Sequence, residues 1–212
     1  MGRPSRALLS REIIARAALE LLREEGPEAL RMRALADRLG VRGASLYHHV
    51  ASKEDLLDAA SELINEEIDL APLDDPDWRA GIAAYARGYR RVYVRHWNVI
   101  PLVARRRVEA DRALRGYDRL LAALVRAGCT PGEAAETAAA LDNLVLGSAL
   151  ETFTAGFTRS PGAYRPDYPG LAGALDAAAT EPGGLAGLDD RGFERGLSAL
   201  LSALPPHPPR TA

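Results

Sequence analysis

The chain has 212 residues, 47% of them hydrophobic and 26% charged, which is the make-up of a globular protein large enough to bury a core. No run approaches 18 consecutive apolar residues, which excludes a membrane-spanning helix; the first residues lack the apolar stretch of a secretion signal, and the single Cys129 cannot close an intrachain disulfide, so a cytoplasmic location is expected. The net charge of -2 conceals an asymmetry: residues 1–53 carry ten basic against six acidic side chains, a net +4, leaving -6 for the remainder. A basic head on an acidic body suits a protein whose head alone meets a polyanion, although an excess of this size also occurs on ordinary surfaces.

In chain order, Ile13, Ile14, Ala17, Ala18, Leu21 and Leu22 recur with helical period behind Ser10 as N-cap, and Gly26-Pro27 ends this first helix. A second helix covers Met32–Leu39, Gly40-Val41 makes a turn, and a third short helix covers about 44–49. Ser52-Lys53-Glu54-Asp55 opens a fourth helix, to about Asp69, as a capping box. Ala71-Pro72-Leu73-Asp74-Asp75-Pro76 marks the boundary between head and body. Beyond it the pattern predicts helices over 77–95, 99–104, 109–127, 130–157, 169–179 and 189–204, the fourth of these opened by Thr130-Pro131-Gly132-Glu133. Residues 158–168 are predicted as a loop and 205–212 as a disordered tail. No strand alternation and no repeat is present, so the fold class is all-α: a three-helix head (1–53) with the fourth helix (52–70) as connector, and a helical body (71–204).

Two short helices joined by a tight turn after a longer one form a helix-turn-helix. Val41, Leu46 and Val50 are placed to hold the third helix inward, which leaves Arg42, Gly43, Ser45, Tyr47, His48 and His49 outward. The run Arg33-Ala34-Leu35-Ala36-Asp37-Arg38-Leu39-Gly40-Val41, then Ser45-Leu46-Tyr47-His48-His49-Val50, then Lys53-Glu54-Asp55-Leu56-Leu57-Asp58, resembles the TetR-family DNA-binding head without a gap over about residues 10–60. The resemblance implies these roles. Arg33 reaches a base edge or a phosphate. Arg42, Gly43, Ala44 and Ser45 face the floor of the major groove, where arginine is the bidentate reader of guanine. Tyr47 and His49 hold phosphates, His48 touches a base edge or a thymine methyl, and Lys53 grips phosphate at a helix N-terminus. Gly43 stands where the family often has a base-reading side chain, and Met32 where it often has a hydroxyl cap. The plainer alternatives are a half-buried core tyrosine at Tyr47, a solvated Lys53, and a metal at His48-His49. The last is disfavoured by the divergent directions of neighbouring side chains on a helix.

In the body, Pro72-Leu73…Trp78, Gly147…Leu150-Glu151 and Phe193…Leu200-Leu201 resemble the tetracycline-repressor branch of that family. The resemblance implies a homodimer held by a four-helix bundle of the 130–157 and 189–204 helices, carried on the stripes Leu141, Leu144, Val145, Ser148, Thr152, Ala155 and Phe193, Leu197, Leu200, Leu201, Leu204. Part of each stripe must serve the chain's own core. It also implies a small-molecule effector, for which Asp69, Tyr85, Tyr89, Trp97, Val103, Arg107, Asn143 and Glu151 are candidate contacts; the plainer alternative for Tyr85 and Tyr89, one turn apart, is a pair of core aromatics. Val103 occupies the place of that branch's metal-binding histidine, so no metal and no cofactor is expected. The function implied is a DNA-binding repressor released from a palindromic operator by an effector. An activator or an effector-independent regulator of the same fold is the alternative. An enzyme is not expected: the four histidines are scattered, and there is no phosphate loop and no zinc spacing.

Overall fold

The computed structural model describes residues 9–103, 108, 110–150 and 152–204, without the side chain of Thr152. The expectations for Arg107, Glu151 and the tail 205–212 lie outside the described residues. Among the described residues the α-helices are α1 (Arg11–Glu25), α2 (Met32–Leu39), α3 (Gly43–Tyr47), α4 (Lys53–Glu66), α5 (Trp78–Arg95), α6 (Ile100–Val103), α7 (Asp111–Arg126), α8 (Pro131–Ala149), α9 (Thr152–Ala155), α10 (Pro161–Tyr164), α11 (Pro169–Thr180) and α12 (Leu188–Ser202), with no strand. The fold is all-α. The described residues fall into two compact units, one within 9–69 and 95–118, the other within 70–94 and 119–204.

In the first unit, the Ser10 hydroxyl caps α1 by accepting the Ile13 N–H at 3.2 Å, and Gly26, at φ 82°, ends the helix with its N–H on Leu22 O. The buried face of α1, with Ile14, Ala17, Ala18, Leu21 and Leu22, is rich in alanine, which lets α4 pack closely with Leu56, Leu57, Ala60 and Ile64. Across the seam the Arg11 guanidinium reaches Glu62 at 2.6 Å and Asp55 at 3.1 Å. The Ser52 hydroxyl accepts the Asp55 N–H at 3.1 Å, as a capping box requires. The Asp55 carboxylate, however, accepts from Ala51 rather than from the cap residue itself, at 2.8 Å. Aspartate is one methylene shorter than the usual glutamate, which changes the N–H within reach. α2 starts from Arg31 without any side-chain cap.

In the second unit, α8 packs on α12 through Leu141, Val145, Phe193 and Leu197. Thr130 and Glu133 complete a full capping box on α8, with Thr130 N–H on the Glu133 carboxylate at 2.8 Å and Glu133 N–H on the threonine hydroxyl at 3.3 Å. The Arg79 guanidinium lies over the Trp78 ring and donates to the Leu201 and Leu204 carbonyls, satisfying the open end of α12. Tyr164, Ala172 and Leu175 form a satellite core with Phe157, Leu171, Leu185 and Leu188.

The long helix expected over 130–157 is broken. α8 ends at Ala149, the Leu150 N–H turns to Ser148 O, and only the single turn α9 follows. Two competing hydrogen bonds accompany the break. The Ser148 hydroxyl bonds back to Val145 O at 3.0 Å, and the Asp189 carboxylate takes the Thr154 N–H at 3.2 Å. Within the predicted loop, Ser160-Pro161 starts the short α10.

Candidate nucleic-acid interface

The turn between α2 and α3 rests on Gly40, whose φ of 64° and ψ of 34° place it in the left-handed region. Its N–H returns to Asp37 O at 3.1 Å, and the Val41 N–H to Ala36 O at 3.0 Å. This closure satisfies the end of α2 and turns the chain directly into α3. Leu46 and Val50 are fully buried and anchor α3 from within, while Val41 is half-buried. With one side anchored, Arg42, Gly43, Ala44, Tyr47, His48 and His49 are exposed and Ser45 is half-buried beside them. Tyr47 is 54% exposed, which sets aside its reading as a core tyrosine. Arg33, in the first turn of α2, and Lys53, the first residue of α4, are exposed as well.

Ion pairing sorts the basic residues of this unit into two sets. Arg16 is held by Glu12 at 2.7 Å, and Arg38 by Glu24 at 2.9 Å and Glu20 at 3.3 Å. The Arg38 guanidinium holds the Glu24 carboxyl below its ordinary range. Arg33, Arg42 and Lys53 are in no ion pair among the described residues, and nor is Arg31, the N-cap of α2. The charges on α1 are paired within the unit, with one another and with α2 and α4, while the cations around α3 remain available to an anionic partner. Arg31 was missed in the sequence, although its i, i+2 spacing with Arg33 across a helix start was a usable signal.

The Ala51 N–H, and then Arg11, hold the Asp55 carboxyl below its ordinary range, so it remains an anion directly behind Lys53 and steadies the first turn of α4. Gly43 has a negative φ, and nothing lies within 4 Å of where a Cβ would project. The chain's own fold therefore places no demand for glycine at this position.

The effector candidates are distributed over both units. In the second, Tyr85 and Tyr89 are buried on one face of α5 with ring centroids 5.9 Å apart, and Tyr93 extends the ladder edge-on at 5.0 Å from Tyr89. The four-residue spacing that pairs the first two tyrosines also reaches Tyr93, which sequence reading had passed over. Burial, reinforced by the Asp142 charge and opposed by a hydrogen bond with Tyr89, pushes the Tyr93 phenol up to about 12. Beside the ladder the buried Arg90 donates to the Ser148 hydroxyl at 3.1 Å and to Asp190 at 2.6 Å. Asn143 is exposed and does not join the tyrosines. It lines a groove of about 440 Å³ with Leu144, Gly147, Phe153, Leu188 and Gly192, along α8 and α12. In the first unit Asp69 and Trp97 are exposed and Val103 half-buried.

Two family descriptions fit the chain: "Bacterial regulatory proteins, tetR family" over residues 14–64, and "Tetracyclin repressor-like, C-terminal domain" over residues 71–205. An HTH-type transcriptional regulator of Saccharopolyspora erythraea is 36% identical over 184 residues, covering 82% of this chain and 78% of that protein. The class C tetracycline repressor of Escherichia coli is 32% identical over 206 residues, covering 92% of this chain and 90% of that repressor. Among solved structures, ActR of Streptomyces coelicolor in complex with (S)-DNPA is similar at a TM-score of 0.73 and 26% identity, covering 93% of this chain and 98% of that one.

Proposed function

Because the chain belongs to the TetR family of bacterial transcriptional regulators, we propose that it is a homodimeric repressor that binds a palindromic operator and is released by a small-molecule effector. The observation that carries the DNA reading is the set of exposed cations without ion pairs around α3. Arg42 and the backbone at Gly43, Ala44 and Ser45 meet base edges. Arg33, Tyr47, His48, His49 and Lys53 complete the contact, and Arg31 adds a phosphate grip at the start of α2. A single α3 of five residues spans only a few base pairs. Two copies related by a two-fold axis double the contact, with reading centres about 34–36 Å apart.

The second copy docks on α8 and α12. Leu141, Val145, Phe193, Leu197 and Leu204 of the sequence stripes are buried within the chain and serve its own core. The neighbouring face is open: Ala135, Ala139, Asn143 and Gly147 recur every four residues on α8, Gly192 and Ala199 are exposed on α12, and Phe153 is 58% exposed beside them. Small residues let two helix pairs approach closely, and exposed apolar surface of this kind is what an interface covers.

Effector response is supported by the likeness to ActR, whose structure was solved with (S)-DNPA, and to a tetracycline repressor. Tyr85 and Tyr89 are the contacts we favour, with Asp69, Trp97, Val103, Arg107, Asn143 and Glu151 as further candidates. To empty an operator the effector must prefer one conformational state by up to about 5.5 kcal/mol. Selection of duplexes from a random library, followed by a salt titration, tests the reading. It expects an inverted repeat and an affinity that falls steeply with salt. Retention of no duplex at low ionic strength would sink it.

A further inference from the structure

The open face of α8 and α12 carries a pattern of charge as well as of size. On α8 the exposed Glu136, Ala140, Asn143 and Gly147 alternate spacings of four and three, and on α12 the exposed Gly192, Arg195, Ala199 and Ser202 alternate three and four. That alternation keeps a row on one side of a helix. Each row lies opposite the buried side of its own helix, which Ala138, Leu141 and Val145 form on α8 and Phe193 and Leu197 on α12. Both rows consist of small or uncharged residues with one exception apiece, an acid on α8 and a base on α12.

These two charges are also the ones left unengaged. Glu133 accepts from Thr130, Asp142 from Tyr89, Asp189 from the Thr154 N–H and Asp190 from Arg90. Arg191 donates to the Ala178 and Gly184 carbonyls, and Glu194 holds Arg87 at 2.7 Å. The remaining charged residues of the two helices, Glu136 and Arg195, form no side-chain ion pair or hydrogen bond among the described residues. They cannot meet within the chain. A Cβ at Gly196 would press on Leu144, and Arg90 bridges Ser148 and Asp190, so α8 and α12 run antiparallel. Arg195 is then level with the middle of α8, and Glu136 lies roughly 13 Å nearer its start, at the helical rise of about 1.5 Å per residue.

A partner without charges on its docking face would strip water from both groups and replace it with nothing. A second copy of the chain brings a base for the acid and an acid for the base, and two-fold symmetry forms the contact twice. We propose that this face selects its own copy by charge: Glu136 of each copy pairs with Arg195 of the other. The proposal rests on the homodimer described above and adds the residues that choose its partner. Exposed ion pairs contribute little to affinity, so the pair acts chiefly by exclusion: a chain of the same shape with a base at the acid's place would set like charges against each other.

The test uses the full-length protein and measures self-association by sedimentation, with a size tag on one chain for mixtures. Glu136→Arg alone sets two bases against each other, and Arg195→Glu alone two acids. Each should raise the dimer dissociation constant about a hundredfold, since like-charge contacts are costly and occur twice. Mixing the two single variants should restore association to within about tenfold of the parent, as a dimer of unlike chains in which both contacts are again complementary. The double variant Glu136→Arg with Arg195→Glu should regain self-association in the same way. A chain damaged by either substitution would not be rescued by mixing. Single variants that dimerise as the parent does, or a mixture that stays monomeric, would overturn the proposal and leave the homodimer reading standing. A parent that is itself monomeric at micromolar concentration would remove the homodimer reading and this proposal with it.

Discussion

The Tyr89 hydroxyl donates to Asp142 Oδ1 at 2.6 Å, a short bond to a carboxylate that ties α5 to α8. Replacing Tyr89 with phenylalanine keeps the ring in its tilted and edge-on contacts with Tyr85 and Tyr93 but leaves the half-buried Asp142 without this donor. The expected cost is about 1–3 kcal/mol, measured by urea denaturation. Asp142→Asn, which retains an acceptor at the same place, should cost less. Equal losses in the two variants would show that a neutral acceptor cannot sustain the bond and that its worth lies in the charge of Asp142.

Tyr93 makes alkaline stability a readout of the same ladder. Its phenol is displaced from 10.0 to about 12, so the fold favours the neutral form. The contribution is fully present below pH 10, where the phenol is protonated in both folded and unfolded chains. It is lost as the pH rises towards 12, because the unfolded chain ionises first. The loss amounts to about 2–3 kcal/mol. Stability measured between pH 9 and pH 12 should fall by this much more in the parent than in Tyr93→Phe, and identical slopes would refute the assignment.

Two glycines on α5 behave oppositely. A Cβ at Gly81 would lie 2.3 Å from Pro72 O and 3.0 Å from Asp75 Cβ, so the chain before α5 must shift to admit it. Overpacking against backbone costs about 1–3 kcal/mol and outweighs the gain in helix propensity of about 1 kcal/mol. A Cβ at Gly88 meets only the end of the Arg91 side chain at 3.7 Å. Gly81→Ala should therefore lower the melting temperature, and Gly88→Ala should leave it unchanged or raise it.

The legible parts of the chain were those governed by local chemistry. Ser10, Gly40, Ser52 and Thr130 announced helix ends through side chains and backbone angles that act within four residues. Leu46 and Val50 betrayed the inner side of α3 by spacing alone. What escaped was settled by residues distant in sequence. The end of α8 depends on Asp189 capturing the Thr154 N–H, 35 residues away. Which stripe of α8 faces α12 depends on packing, and periodicity identified an apolar stripe without saying whether the same chain or a second copy covers it. Asn98 stood out in the sequence only as a further candidate effector contact, and its bond to a backbone carbonyl 76 residues earlier was not legible there.

Around α3, stability and DNA affinity should separate. Lys53→Ala removes an exposed cation in no described ion pair, so the melting temperature should hold. Binding should weaken on every duplex, and the slope of log affinity against log salt should shrink by about one. Arg42→Ala should weaken binding and relax the preference at one symmetric pair of base positions, with a loss of about 1–3 kcal/mol. Gly43→Ala meets no atom of the chain, so the fold should tolerate it, and any change in operator preference reports contact with DNA alone. A fall in melting temperature matching the fall in affinity would assign these residues to folding instead.

The open face of α8 gives the dimer its own test. A side chain at Gly147 would meet nothing within 4 Å in the single chain, whereas at Gly196 it would press on Leu144 at 2.8 Å. Gly147→Trp should therefore leave the helical content of the chain intact and, if a second copy docks on this face, force the two copies apart. Light scattering coupled to size exclusion should report a monomer. Operator affinity should drop towards that of one head on one half-site, because the second grip is lost although no DNA contact has been altered. A Gly147→Trp protein that remained dimeric with full affinity would move the interface away from α8 and α12.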